Sequence, residues 1–152
     1  MFFTEQGQCF WLRAFEIPEG NKASKGRPIQ NLINIPPGDK VKAYINVKSL
    51  EDQEYLNNNF IVMCTKKGVV KKTTLEAYSR PRTNGIIAIT VREGDSLLEA
   101  CMTNGKNEIM LAAKEGKVCR FNESAVRPMG RGASGVTGMN LDLEDQPTNE
   151  VM

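Results

Sequence analysis

Basic residues gather beside glycines at three places in the chain. These residues lie close to Gly26, Gly85 and Gly135, and they are Lys22, Lys25, Arg27, Arg80, Arg82, Arg127 and Arg131. Glycine lets a main chain approach a phosphate, and arginine holds phosphate oxygens with paired N–H donors. The pattern predicts contacts to a polyanion, and the net charge of +2 permits such a partner without demanding one. From the residues alone, solubilising charge on surface loops is the simpler interpretation.

Three more basic residues, Lys71, Lys72 and Arg120, occupy predicted strands. Side chains alternate between the two faces of a strand, so one lysine of the neighbouring pair is expected to point outward. For that lysine, contact with a phosphate and protection of a strand edge are equally good interpretations.

The absence of histidine excludes much chemistry. No Ser-His-Asp or Cys-His pair can form, and no metal site can use an imidazole. The cysteines Cys9, Cys64, Cys101 and Cys119 form no C-x-x-C pair and lie in apolar runs. We therefore predict no catalytic residue, no metal site and buried, reduced thiols, with disulfides of a secreted protein as the weaker alternative. The longest apolar run, Phe60 to Cys64, is too short for a membrane span, and a cytoplasmic protein is expected.

The elements that position these residues form a repeat. Three segments align on Gly7, Gly68 and Gly116, each with an apolar strand, a polar turn, the glycine and a second strand. This pattern predicts three hairpins whose glycines take the positive φ of a tight turn. The second set of glycines, Gly26, Gly85 and Gly135, lies 19, 17 and 19 residues further on, and each is expected to open another strand.

About four strands in a repeat of roughly 40–50 residues are typical of a propeller blade, and a solenoid of stacked hairpins is the alternative. The sequence predicts an all-β fold with about three four-stranded blades, at residues 1–50, 60–103 and 108–143. Residues 51–59 are predicted to be an inter-blade loop, and 144–152 an acidic tail or truncated inter-blade linker. Three blades cannot close a ring of four to eight, so a piece of a larger disc is expected.

Several ordered matches give the chain a family resemblance. They are residues 1–7, 26–32, 68–73, 115–121, 124–130 and 135–139. Over residues 1–143 the chain resembles the C-terminal domain of the bacterial DNA gyrase A protein and, more distantly, that of the topoisomerase IV C protein. The resemblance implies a six-bladed β-pinwheel, in which a strand of each blade pairs with a neighbouring blade. It also implies non-sequence-specific binding and wrapping of duplex DNA around a basic rim, in an enzyme that introduces negative supercoils.

The basic glycine-rich box of that family, Q-R-R-G-G-K-G, has no intact copy here. Residues 129–135 keep Arg131, Gly132 and Gly135 of the box, and residues 79–85 keep Arg80 and Gly85. Near Gly26, only Lys25 and Gly26 match. This departure suggests that the family's first blade is missing and that these are later blades.

The resemblance also implies partners. They are double-stranded DNA, the remaining gyrase A domains and the gyrase B protein, while ATP and Mg belong to other parts of the enzyme and no cofactor is expected in this chain. Open strand edges at both ends of the repeats predict self-association. A propeller used for protein–protein contact and a topoisomerase IV domain are the alternative functions.

Overall fold

The structure, a computed structural model, describes residues 1–141 and 150–152. Its strands are β1 (Phe2–Thr4), β2 (Gln8–Phe10), β3 (Val41–Tyr44), β4 (Phe60–Thr65), β5 (Val69–Thr74), β6 (Ile86–Ile87), β7 (Leu97–Thr103), β8 (Glu108–Ala112), β9 (Val118–Asn122) and β10 (Val136–Thr137). The helix α1 spans Gln53–Asn58, and four short 3₁₀ helices span Ala14–Glu16, Ile29–Asn31, Leu75–Tyr78 and Glu123–Ala125. Among the described residues, no helix is long and apolar enough to cross a membrane.

Each complete sheet is shared between two repeats. The strand orders are β3-β1-β2-β6 and β7-β4-β5-β10, all antiparallel. A hairpin supplies the two inner strands, the same repeat adds one outer strand, and the following repeat supplies the other. The all-β prediction and the strand exchange implied by the resemblance are both confirmed.

The third hairpin, β8–β9, carries the end of the chain. The N–H of Lys114 donates to the carbonyl of Glu150 at 2.9 Å, and the N–H of Met152 donates to Ala112 at 2.9 Å. Val151 forms an antiparallel bridge with Ala113. Residues 150–152 thus begin a strand beside β8, where the sequence predicts a tail or linker; the rest of that segment lies outside the described residues.

Three local predictions need correction. The stretch 51–59 contains α1, because the carboxylate of Asp52 caps the helix by accepting from the N–H of Tyr55. The strand expected from Ile86 to Val91 is regular only at Ile86–Ile87. Gly26 is followed by a 3₁₀ helix at Ile29–Asn31 and not by a strand.

The hairpin turns hold the repeats together. Gly7 and Gly68 have φ values of +83° and +80°, as the turns require. The carbonyl of Gly7 accepts from the N–H groups of Ala88 (2.8 Å) and Ile89 (3.1 Å) in the next repeat. The carbonyl of Gly68 accepts in the same way from Gly138 (2.8 Å) and Met139 (3.1 Å). Each turn glycine is therefore the docking point of the incoming strand.

The hydrophobic cores lie between repeats and not inside them. The first core joins side chains of the first hairpin, such as Phe3 and Cys9, to Ile61 and Met63 of the second. The second core joins Val62, Cys64 and Val70 to residues of the third repeat, namely Leu111, Ala113, Val126, Met139, Leu141 and Val151. A repeat cannot bury its own apolar face, so its stability depends on its neighbours.

Substituting the turn glycines tests this arrangement. A Cβ on Gly68 would lie 2.5 Å from the carbonyl oxygen of Met139, whereas no described atom lies within 4 Å of a Cβ on Gly116, whose φ is +85°. Gly116→Ala should cost about 1–2 kcal/mol of unfolding free energy for its positive φ alone. Gly68→Ala should cost at least ~2 kcal/mol more, since it also displaces two hydrogen bonds worth about 1 kcal/mol each. Urea titration in dilute solution, followed by the fluorescence of Trp11, measures both; equal losses would contradict the docking role.

Candidate nucleic-acid interface

Three arginines from two repeats line one shallow recess. Arg80 and Arg82 follow the 3₁₀ helix Leu75–Tyr78 of the second repeat and are exposed. Arg131 comes from the third repeat and is half-buried. The recess has a volume of about 320 Å³, and its other lining residues are Glu76, Ala77, Ser79 and Ile86. Three guanidinium groups against one carboxylate give the recess a positive charge suited to an anion.

The loop that carries Arg131 is fastened to the second repeat by main-chain hydrogen bonds. The N–H of Met129 donates to the carbonyl of Lys72 at 2.8 Å. The hydroxyl of Thr90 donates to the carbonyl of Gly132 at 2.8 Å, and its N–H donates to Ala133 at 3.2 Å. These bonds fix the degenerate box at the junction between repeats, next to Arg80 and Arg82. Reasoning from the sequence misses Thr90, since only its place beside the incoming loop gives it a role.

Lys71 lies beneath this loop and is fully buried. Its Nζ donates to the carbonyls of Ala88 and Arg131, so one ammonium joins the second repeat to the third. Burial lowers the pKa of Lys71 to about 8, and the nearby Arg131 guanidinium lowers it further. Lys71 cannot reach a phosphate, so its prediction as a DNA contact is wrong.

Lys72 points to the opposite side of β5 and is also buried. Its Nζ lies 3.5 Å from the Glu123 carboxylate and 4.8 Å from the centre of the Phe60 ring, and it donates to the Glu123 carbonyl at 2.9 Å. The Glu123 carboxylate also accepts from the hydroxyl of Thr103 at 2.7 Å and the N–H of Asn107 at 2.8 Å. Neither lysine points outward, because neighbouring repeats cover both faces of β5; the prediction of contact through Lys72 is wrong for the same reason.

The remaining predicted contacts lie outside the recess. Lys22, Lys25 and Arg27 are on an exposed loop before the 3₁₀ helix Ile29–Asn31, and Arg127 is exposed after Glu123–Ala125. Arg120 is exposed on β9, where its Nε lies 3.3 Å from the carboxylate of Glu108. The structure therefore brings together only Arg80, Arg82 and Arg131 of the predicted set.

The glycines explain which loops are equivalent. Gly85 and Gly135 both have positive φ and both open a strand that joins the preceding repeat. A Cβ would lie 2.6 Å from the Phe10 ring at Gly85 and 2.7 Å from the Val70 carbonyl oxygen at Gly135. No described atom lies within 4 Å of a Cβ on Gly26, so this glycine does not occupy the same environment.

Other predicted features can be placed in the same way. All four cysteines are free thiols, but Cys101 is exposed, which corrects the expectation that all are buried. Within residues 1–141 and 150–152, no group of three or more His, Cys, Asp or Glu residues could hold a metal ion. Trp11 packs on the first core and donates from Nε1 to the carbonyl of Tyr78 at 3.2 Å.

Four-stranded repeats that exchange strands and hold arginines at a repeat junction define a propeller-type domain. The chain belongs to the family described as "DNA gyrase C-terminal domain, beta-propeller", whose model matches residues 1–47, 59–100 and 107–146. The DNA gyrase A protein of Chlamydia muridarum is 44% identical over 147 residues, covering 95% of this chain and 17% of the relative. That of Haemophilus influenzae is 40% identical over 149 residues, covering 98% and 16%. The chain thus spans about one sixth of the length of these relatives.

Solved structures agree with this assignment. The C-terminal domain of DNA topoisomerase IV superimposes with a TM-score of 0.83 at 28% identity, covering 99% of this chain and 44% of the other. A DNA gyrase A C-terminal domain gives a TM-score of 0.76 at 21% identity, covering 99% and 45%, and supports the fold alone.

The buried ammonium of Lys71 predicts a pH effect on stability. Its pKa is lowered in the folded chain, so the unfolded chain binds more protons between pH 8 and the ordinary lysine range, and Lys71 makes stability rise with pH there. Burial raises the pKa of the Cys9 thiol and of the Tyr78 phenol, which has the opposite effect, but both groups remain in Lys71→Met. The free energy of unfolding of the native chain, measured relative to Lys71→Met, should therefore increase from pH 8 to pH 10. A difference that stays constant or shrinks would contradict the placement of Lys71.

Proposed function

We propose that this chain binds duplex DNA without sequence specificity and bends it along its surface, as part of a DNA gyrase that introduces negative supercoils. The observation that carries the proposal is the gathering of Arg80, Arg82 and Arg131 at one junction between repeats. Membership of the gyrase C-terminal family agrees with this role.

The chemistry of the recess favours a phosphate backbone over a base edge. Guanidinium groups bind phosphate oxygens with paired donors, and such contacts position a duplex without reading its sequence. A wide, shallow recess of about 320 Å³ gives no deep pocket for a flipped base. We therefore attribute binding to neutralised phosphates and released counterions.

Wrapping follows from repetition in this proposal. Since Gly85 and Gly135 open equivalent strands, the basic loops before them occupy equivalent places on successive repeats. A duplex that contacts Arg80 and Arg82 on one repeat meets Arg127 and Arg131 on the next. The loop with Lys22, Lys25 and Arg27 extends this path onto the first repeat only if it moves, because its present environment differs.

The proposal includes the partners that this role requires. They are the remaining gyrase A domains and the gyrase B protein, in the cytoplasm, with ATP and Mg bound by those other parts. A protein-binding propeller is the alternative in another class, and a duplex titration at low salt separates the two, since protein binding alone predicts no DNA affinity.

A triple substitution tests the recess directly. Arg80→Ala, Arg82→Ala and Arg131→Ala together should weaken binding of every duplex sequence alike and reduce the steepness of log affinity against log salt by about 2–3 units, at roughly 0.9 per phosphate contact. The Lys71 bond to the Arg131 carbonyl persists, because alanine keeps that main-chain oxygen. Fluorescence anisotropy of labelled duplexes over a salt series measures affinity and slope.

The matched control removes the same charge elsewhere. Lys48, Arg92 and Lys106 are exposed and do not line the recess, so their triple alanine variant should keep most of the slope. Equal losses in both variants would mean that net charge, and not the recess, governs binding.

A second expectation concerns catalysis. The chain has no histidine, and we predict that it neither relaxes supercoiled plasmid nor hydrolyses ATP by itself. A plasmid relaxation assay and a phosphate-release assay on purified chain check this, and either activity above a buffer control would contradict it.

A further inference from the structure

The two ends of the row of repeats carry the two halves of an interface that the chain builds twice within itself. We use "back face" for the outer side of the third repeat, with Met110, Ala112, Gly116 and Val118. We use "front face" for the outer side of the first repeat, with Phe2, Ile33, Ile35 and Tyr44. Alignment of the hairpins on their turn glycines shows what each face lacks.

The back face repeats positions that are buried in the other hairpins. Met1, Phe3 and Cys9 lie in the first core, and Val62, Cys64 and Val70 in the second. Their counterparts are Met110, Ala112 and Val118, of which Met110 is 69% and Val118 is 59% exposed. Gly116 has the φ of Gly7 and Gly68, yet no described atom lies within 4 Å of a Cβ there. The back face is therefore a receiving surface in the geometry that accepts a strand at the other two turns.

The front face repeats the positions that fill such a surface. Phe2 and Tyr44 align with Met63 and Ala100, which are buried against the first hairpin. Tyr44 is 80% exposed. It borders a groove of about 1240 Å³, whose lining includes Phe2, Trp11 and Leu32. An apolar groove of this size beside an exposed aromatic ring fits a partner that covers it.

The main chain of the front face is arranged as an unused donor pair. Leu32 and Ile33 align with Ala88 and Ile89, whose N–H groups both donate to the carbonyl of Gly7. In the first repeat, the N–H groups of Leu32 and Ile33 both donate to the carbonyl of Ile29, at 2.9 and 3.1 Å. The 3₁₀ helix at Ile29–Asn31 thus satisfies locally the two donors that elsewhere dock on a turn glycine.

We propose that the front face of one molecule binds the back face of a second copy of this chain, in the register of the internal interfaces. The N–H groups of Leu32 and Ile33 move from Ile29 to the carbonyl of Gly116 of the other copy. Val41 occupies the place of Leu97 and Val151, whose N–H groups donate to the carbonyls of Glu5 (2.9 Å) and Lys66 (2.8 Å) in the preceding turns. Its N–H then donates to Lys114 of the other copy.

A second copy is the occupant because the same chain carries both complementary halves. The contact is head to tail, and two such contacts close a pair of molecules. The solved propeller domains that the chain matches are more than twice its length, so two copies make up about one such domain. The closed pair leaves no unfilled face, which favours it over an open chain of copies.

The test uses substitutions that alter the faces without disturbing the folded chain. Gly116→Asn keeps the positive φ, which asparagine tolerates, and places a Cβ where the incoming strand must lie. Gly38→Asn is the matched control, since Gly38 has a φ of +86° and open space around it. Its counterpart Gly94 contacts only Lys67 of its own repeat, so Gly38 lies outside the proposed interface. Tyr44→Glu puts a charge on the exposed front face.

Sedimentation equilibrium gives the expected outcomes. The native chain and Gly38→Asn should approach twice the mass of one chain as concentration rises, whereas Gly116→Asn and Tyr44→Glu should each stay at the mass of one. A mixture of the two blocked variants should form a pair, because each keeps the half that the other has lost. Circular dichroism confirms that each variant is folded.

Contrary results are equally clear. A native chain that stays at the mass of one copy at its highest soluble concentration would overturn the proposal. It would also fail if Gly116→Asn associated as the native chain does, or if the two blocked variants did not combine. These measurements need no DNA, so their outcome is independent of the proposed function.

Discussion

The contact between a turn glycine and the strand of the next repeat is the constraint on which the rest of the structure depends. The carbonyls of Gly7 and Gly68 each receive two N–H groups at about the same distances, in a space that would not hold a Cβ. Once the incoming strand is fixed there, the apolar side chains around it form a core between the repeats. The same docking sets where the loop before the strand lies, and it thereby brings Arg131 of one repeat beside Arg80 and Arg82 of another.

Spacing of glycines and short apolar runs is enough to predict the hairpins, because a positive φ and an alternating strand are local properties. Gly7, Gly68 and Gly116 all occupy the predicted turns. Strand exchange is available only through the family resemblance, since nothing within one repeat says which neighbour completes its sheet. Gly26 shows the limit of alignment by residue type: it shares a basic context with Gly85 and Gly135, but its loop folds back into a 3₁₀ helix.

The candidate site is predictable in part. Arg80, Arg82 and Arg131 stand out because arginine beside glycine suggests a phosphate contact, and a repeated position suggests a shared surface. Lys71 and Lys72 mislead because alternation assumes that one face of a strand meets water. In β5 both faces meet protein, and each ammonium is satisfied by carbonyls or by the Glu123 carboxylate. Burial of a charge with such partners cannot be read from the strand itself, as the partners come from distant segments.

Because each sheet takes its last strand from the following repeat, the unit of folding is offset from the unit of sequence. Loss or tandem duplication of one whole sequence repeat leaves every junction with a turn glycine and an incoming strand, whereas a change at any other point leaves a sheet one strand short. Gene rearrangement can therefore alter the number of blades in whole steps, while the main-chain geometry of each junction stays the same. Side chains then adjust locally, as the different residues in the two cores already illustrate. Shared strands thus allow such a protein to change its size over evolutionary time without a new architecture.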